Sequence, residues 1–312
     1  MKLMMKRIVV PVLLLAALLV TSLIPAFAAD SAMRLPAGPD GVGQGKNDDL
    51  SHPLGAKQRA LRQEALQAKL NGKAYGRTYE VARGQFVELE RLGEDLIFTV
   101  LGEFNDFPHN NIGEPDRNVD NTTIWSPDFS RDYYLDLLFS EAPGAVSMRN
   151  FYIELSSNRY TVNGDVTNWV TVPGNAASYD DDLGGGAVWQ FLEDSLDGWY
   201  AAQSAAGMTA DEINDYLSQF DVWDRYDWDG DGNFNEPDGY IDHFQSVHAG
   251  EGEEAGGGAL GGQAIWSHRW YARFNLIGSN GPSTDYLLGG VQIGDSNYWR
   301  CTSPSTCPQV QA

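Results

Sequence analysis

Lysine is absent from residues 93–312 of this 312-residue chain, and cysteine is absent before Cys301. The two cysteines, Cys301 and Cys307, lie in the last dozen residues. A disulfide there would close a short loop and could not organise a core, so the fold rests on burial of apolar side chains. No Gly-x-Ser-x-Gly occurs, and no two of the histidines (His52, His109, His243, His248, His268) stand four residues apart. The first absence leaves no serine nucleophile elbow, and the second leaves no zinc pair one helical turn apart. Gly184–Gly186 and Gly256–Gly258 lack the Lys and Ser or Thr of a phosphate-binding loop. After Leu23 no apolar run is long enough to cross a bilayer.

The missing lysines leave a lopsided charge. Residues 29–92 hold ten Lys or Arg against eight Asp or Glu, a net of +2, whereas residues 93–312 hold eight Arg against 35 acids, a net of −27. So acidic a surface repels nucleic acid and anionic lipid, and neither is expected as a partner. Bound cations or a basic neighbour would relieve its self-repulsion.

The amino terminus carries Lys2, Lys6 and Arg7, an apolar run from Ile8 to Leu23, and Ala26-Phe27-Ala28. This reads as a secretory signal peptide over 1–29, removed on export, with an uncleaved anchor as the alternative. Residues 30–55 read as a linker without apolar period. Ala56–Leu70 reads as a basic helix with a thin stripe of Leu54, Leu61, Ala65 and Ala68; it either docks on the acidic body or stays solvated.

The run 96–101 suits a buried strand, and 132–139 and 147–155 suit helices, the second capped by Ser147 with Met148, Phe151, Tyr152 and Leu155 on one face. Asn163-Gly164 predicts a type I′ hairpin turn. Residues 187–205 and 209–220 predict helices, the latter opened by a Thr209/Glu212 capping box, and 240–247 a strand. Trp189, Trp199, Tyr216 and Phe220 are expected in the core. The elements add up to a mixed α/β or α+β domain, a mixed sheet with helices.

The most specific pattern is Asp227–Asp238, Asp-Trp-Asp-Gly-Asp-Gly-Asn-Phe-Asn-Glu-Pro-Asp. Oxygen-bearing side chains fall at positions 1, 3, 5, 9 and 12, with Gly232 at the sixth. A hard cation takes six to eight oxygens, and this spacing wraps them around one point. The expected calcium ligands are Asp227, Asp229, Asp231, the Asn233 carbonyl, Asn235 and Asp238, with Glu236 or Asp242 able to close the shell. A solvated acidic turn is the alternative. With a strand instead of a helix after it, the loop is expected to be a structural clamp and not a sensor. His243 and His248, five apart on a strand, point to opposite faces and are not expected to share a metal.

Residues 96–109, 151–169, 226–250, 265–268 and 293–299, taken in order, resemble the immune inhibitor A family of secreted bacterial zinc metallopeptidases. The resemblance implies a zincin-like peptidase domain from residue 93 to 299, a propeptide over 30–92, and a calcium site at 227–238 supporting the domain. It also implies proteins or peptides as substrates and zinc as the catalytic metal. The family's His-Glu-x-x-His would follow shortly after Trp299. This chain instead continues Arg300-Cys-Thr-Ser-Pro-Ser-Thr-Cys-Pro-Gln-Val-Gln-Ala, a divergent tail over 300–312. The motif supplies two zinc ligands and the general base, so no catalytic residue is carried over. The expectation is a truncated or frame-disrupted product with little proteolytic activity; a secreted calcium-stabilised binding or adhesion module is the reading of another class.

Overall fold

The computed structural model describes residues 53–180, 187–227, 229–237 and 241–267. The expected leader, the linker before Pro53, His52, Asp181, Asp182, Gly184–Gly186, Asp238, His268, the 293–299 segment and the cysteine tail lie outside the described residues.

Helix α1 (Pro53–Leu70) leads into an antiparallel pair, β1 (Thr78–Ala82) and β2 (Gln85–Glu88). Ala65 of α1 is fully buried against Val87 and Leu89, with Leu61, Leu66, Tyr79 and Val81 around it. Arg62 caps the assembly by donating to the carbonyls of Glu88 and Leu89. The basic helix therefore docks on a hairpin of its own segment and not on the acidic body. The hairpin itself escapes the sequence reading, because its strands are only five and four residues long.

The second sheet has the order β4-β3-β5 and is parallel throughout. Strand β3 (Gly93–Glu103) lies between β4 (Tyr160–Thr171) and β5 (Phe244–His248). Helices α2 (Arg131–Phe139) and α3 (Met148–Leu155) connect β3 to β4, and α4 (Ala187–Ala205) and α5 (Ala210–Ser218) connect β4 to β5. Successive β3 side chains point to opposite faces. Ile97 and Leu101 meet Leu138 and Phe139 of α2 together with Val162 and Val166. Phe98 and Val100 meet Leu196, Trp199, Ile213, Leu217 and Phe220 on the other side. Covered on both faces, β3 reads as a continuous apolar run. The result is a mixed α/β fold with five α-helices and two small sheets among the described residues, as expected of part of a metallopeptidase domain.

The helix boundaries follow their caps. Ser147 accepts from Asn150 N at 3.1 Å, and Thr209 and Glu212 form both bonds of the capping box. The stripe expected on α3 is only half buried: Met148 and Tyr152 pack on the sheet, while Phe151 and Leu155 are exposed.

The Asn163-Gly164 hairpin does not form. Both residues lie inside β4, paired with Leu96 and Ile97 of β3. Asn163 does not take the positive φ that a type I′ turn requires, and its Oδ1 accepts from Gly164 N at 2.9 Å. Gly164 has φ +156°, and a Cβ there would run into the Ile97 carbonyl. Glycine at this position permits two backbones to approach; it does not reverse the chain.

Candidate metal centre

The acidic segment leaves the core and returns to it through a narrow neck. Phe220 and Ile241, both almost completely buried, anchor the two ends, and Asp242 N donates to Phe220 O at 2.8 Å. The Asp242 carboxylate accepts from Val222 N at 2.8 Å. This oxygen therefore braces the neck. Strand β5 begins at Phe244, later than expected, because Ile241 and Asp242 serve that closure.

Inside the loop a run of local hydrogen bonds follows the odd-numbered positions. Asp229 Oδ1 accepts from Asp231 N at 3.1 Å, Asp231 Oδ1 from Asn233 N at 2.7 Å, and Asn233 Oδ1 from Asn235 N at 3.2 Å. Each side chain thus closes a turn onto the residue two ahead. Asp227, itself at φ +51°, accepts from Gly232 N at 2.8 Å, so the first position reaches across to the sixth. Gly232 sits at φ +81° with the Phe86 ring 2.8 Å from where a Cβ would lie. Both the turn and the neighbouring hairpin exclude a side chain there.

Two carboxylate groups result, each with oxygens within 4.8 Å of one another: Asp224, Asp227 and Asp229, and Asp229, Asp231 and Glu236. Asp229 belongs to both. Of the expected ligands, Asp229 meets Asp227 in one group and Asp231 in the other. Asn233 donates through Nδ2 to Glu236, and Asn235 Oδ1 accepts from Arg91 at 3.1 Å, which draws that amide toward the β1–β2 segment. Asp224, buried to 3% exposure and three residues ahead of the loop, is the member that sequence reasoning missed. Its only sequence signal was an acid just before the twelve-residue pattern. Burial pushes the Asp227 carboxyl up; the Gly232 N–H opposes this, and Asp229 and Asp231 add to it.

A donor set made only of oxygens, mostly carboxylate, fits calcium and not zinc, which prefers nitrogen and sulfur. The described histidines stand apart from any such cluster. His109 bonds Glu103 at 2.6 Å and stacks on Trp169 with ring centres 4.6 Å apart. His243 Nε2 lies 3.2 Å from Asp95 Oδ2, and His248 is half-buried with Nδ1 3.1 Å from Ala249 O. Among the described residues no histidine joins a potential metal group. The described residues therefore offer an oxygen donor set and no histidine cluster of the kind a catalytic zinc takes.

Beside the loop, Asp95 is 1% exposed and receives Arg91 Nη2 at 2.6 Å and the Tyr160 hydroxyl at 3.0 Å. Burial raises its carboxyl, but His243 and Arg91 outweigh that and hold it down at about 2. A cavity of about 480 Å³ opens at the carboxyl ends of the three parallel strands, walled by His109, Phe129, Tyr133, Tyr134, Leu137 and Trp169. Open parallel sheets place ligands at that end. The lining is suited to an apolar side chain.

Residues 84–303 match the family model described as immune inhibitor A peptidase M6, catalytic domain. A protein named immune inhibitor A from Bacillus thuringiensis subsp. alesti is 42% identical over 185 residues, covering 57% of this chain and 26% of that protein. The pre-pro-metalloprotease PrtV of Vibrio cholerae serotype O1 (strain M66-2) is 34% identical over 226 residues, covering 70% of this chain and 23% of PrtV. The chain thus spans about a quarter of the length of the curated relatives it matches.

Proposed function

The chain belongs to the immune inhibitor A, M6 family of metallopeptidases, and from that premise we propose that it is exported and that its residues 93–299 form part of a peptidase domain pinned by calcium at the acidic loop. Asp224, Asp227, Asp229, Asp231 and Glu236 supply the carboxylates, with the Asn233 carbonyl and Asp238 as further ligands. Residues 1–29 act as a signal peptide and 30–92 as a propeptide. Proteins or peptides are the substrates of the complete machinery.

The observation that carries this reading is the convergence of two carboxylate groups on Asp229 inside a loop closed at its neck. Crowded acids of this kind are stable when a cation neutralises them, and the ion then ties the 220–242 excursion to the sheet. Zinc would supply a Lewis acid and an activated water to a peptidase. Its His-Glu-x-x-His is not among these 312 residues. These residues alone are expected to bind calcium without hydrolysing peptides.

Calorimetric titration of the purified chain with calcium, run beside a casein digestion assay, tests both halves. Heat of binding with about one equivalent and no digestion is the expected result. Absence of heat removes the calcium assignment, and digestion by the chain alone removes the assignment of catalysis to residues it does not hold.

A further inference from the structure

The loop is also the surface on which the amino-terminal segment rests. The Phe86 ring of β2 lies 2.8 Å from where a Gly232 Cβ would stand, and the Gly84 carbonyl at the β1–β2 turn comes within 3.5 Å of where a Gly230 Cβ would stand. Arg91 then reaches in from the end of the segment. Its Nε and Nη2 fork onto Asp95 at 2.9 and 2.6 Å, its Nη1 donates to Asn235 at 3.1 Å, and its guanidinium stands 4.8 Å from the Trp223 ring centre. Arg225 stands over the same ring at 4.5 Å.

Several contacts of this region are internal to the segment: Ala65 with Val87 and Leu89, Arg62 with the Glu88 and Leu89 carbonyls, and Lys69 with Glu90 at 2.7 Å; Glu88 also interacts across with Trp223. The helix and hairpin thus carry a small core of their own, and among the described residues they meet the body through the Phe86 ring, the Gly84 carbonyl, Glu88 and Arg91. An arginine fork onto a buried carboxylate and an aromatic anchor are contacts that dominate protein interfaces, and the part-buried Arg91 fork on Asp95 is of this kind. The segment's net +2 against the −27 of the residues that follow adds a long-range attraction.

We propose that Gly232, Trp223, Asn235 and Asp95 form a docking site for the segment ending at Arg91, and that this site keeps its occupant after the backbone between Leu92 and Gly93 is cut. The segment is then a bound partner of the body and not merely its amino-terminal extension. Release requires Arg91 to leave Asp95, and it uncovers the glycine side of the acidic loop. This inference rests on the reading of residues 30–92 as a propeptide. Amino-terminal sequencing of the exported protein checks that reading separately.

The test uses the full chain with a recognition sequence for a specific protease inserted between the part-exposed Leu92 and the exposed Gly93, the insert being long enough to leave the Gly93 N–H on the Arg159 carbonyl. After cutting, gel filtration reports whether the segment travels with the body, and near-ultraviolet circular dichroism reports whether the body keeps its fold. Co-elution is expected for the parent. Arg91→Ala and Phe86→Ala are each expected to weaken retention by roughly tenfold or more, whereas Lys69→Ala, which breaks a contact internal to the segment, leaves it unchanged. Separation of the parent on cutting, loss of its near-ultraviolet signal, or equal retention of all three variants would overturn the proposal. Repeating the run in calcium and in chelator distinguishes failure of the dock from failure of the cation site, since the contacts named here involve no ion.

Discussion

Replacing Asp242 by asparagine isolates the electrostatic cost at the neck of the acidic loop. The Asp242 carboxyl is 6% exposed, accepts from Val222 N, and has Asp221 and Asp95 as negative neighbours with Arg91 opposing them. Burial, the largest influence, raises it from 3.8 to about 8. At neutral pH the folded protein therefore holds this carboxyl protonated, while the unfolded chain leaves it ionised. Because the folded value is the higher one, its contribution to stability is fully present below 3.8 and is lost as pH rises through about 8. One pKa unit corresponds to about 1.4 kcal/mol, so between pH 5 and pH 7 the group alone removes roughly 3 kcal/mol. Asparagine keeps an oxygen for the Val222 N–H and cannot ionise. Urea unfolding of the parent and Asp242→Asn at pH 5, 6 and 7, in chelator, should give stabilities that diverge by roughly 3 kcal/mol across that range in favour of the variant. Taking the difference cancels the other titrating groups. Parallel pH profiles would refute the reasoning, because they would mean that Asp242 ionises alike in both states.

In saturating calcium the parent should gain about 2.7 kcal/mol at a hundred times Kd, and Asp229→Ala, which removes the acid common to both carboxylate groups, should abolish the calcium-dependent shift in Tm; Asp231→Ala and Asp224→Ala should each reduce or abolish it. A shift preserved in Asp229→Ala would remove the site. Gly164→Ala forces a methyl group into the Ile97 carbonyl and should destabilise by about 3 kcal/mol or more in denaturant titration, as overpacking at an immovable backbone does. Thr209→Ala removes one arm of the capping box and should cost about 1 kcal/mol. A neutral result would show that Glu212 alone holds that helix end.

The legible parts of this fold are those governed by neighbours in sequence. Ser147 and Thr209 mark helix starts because a cap is a hydrogen bond to a residue three ahead. Strand β3 shows as an apolar run because both of its faces are covered. Less was legible where a distant group decides. Asn163-Gly164 carries the strongest hairpin signal in the chain, yet Ile97, sixty-seven residues earlier, receives it as a strand. Phe151 and Leu155 complete a plausible apolar stripe, but the parallel sheet covers only half of α3.

The acidic loop divides along the same line. Sequence by itself determined the ladder of oxygens at 229, 231 and 233 and the glycine at 232, since each oxygen bonds a backbone N–H two residues on and the turn needs a positive φ. It also determined the acidity of the body, which follows from composition alone. Only the tertiary structure decided that Asp224 joins the carboxylates, that Arg91 takes Asn235, and that Phe86 rests on Gly232. Those contacts arise when the 220–242 excursion folds back on its own neck and when a hairpin over a hundred residues earlier packs on it. Local hydrogen bonds can be read from spacing; the meeting of distant side chains depends on how the elements between them pack.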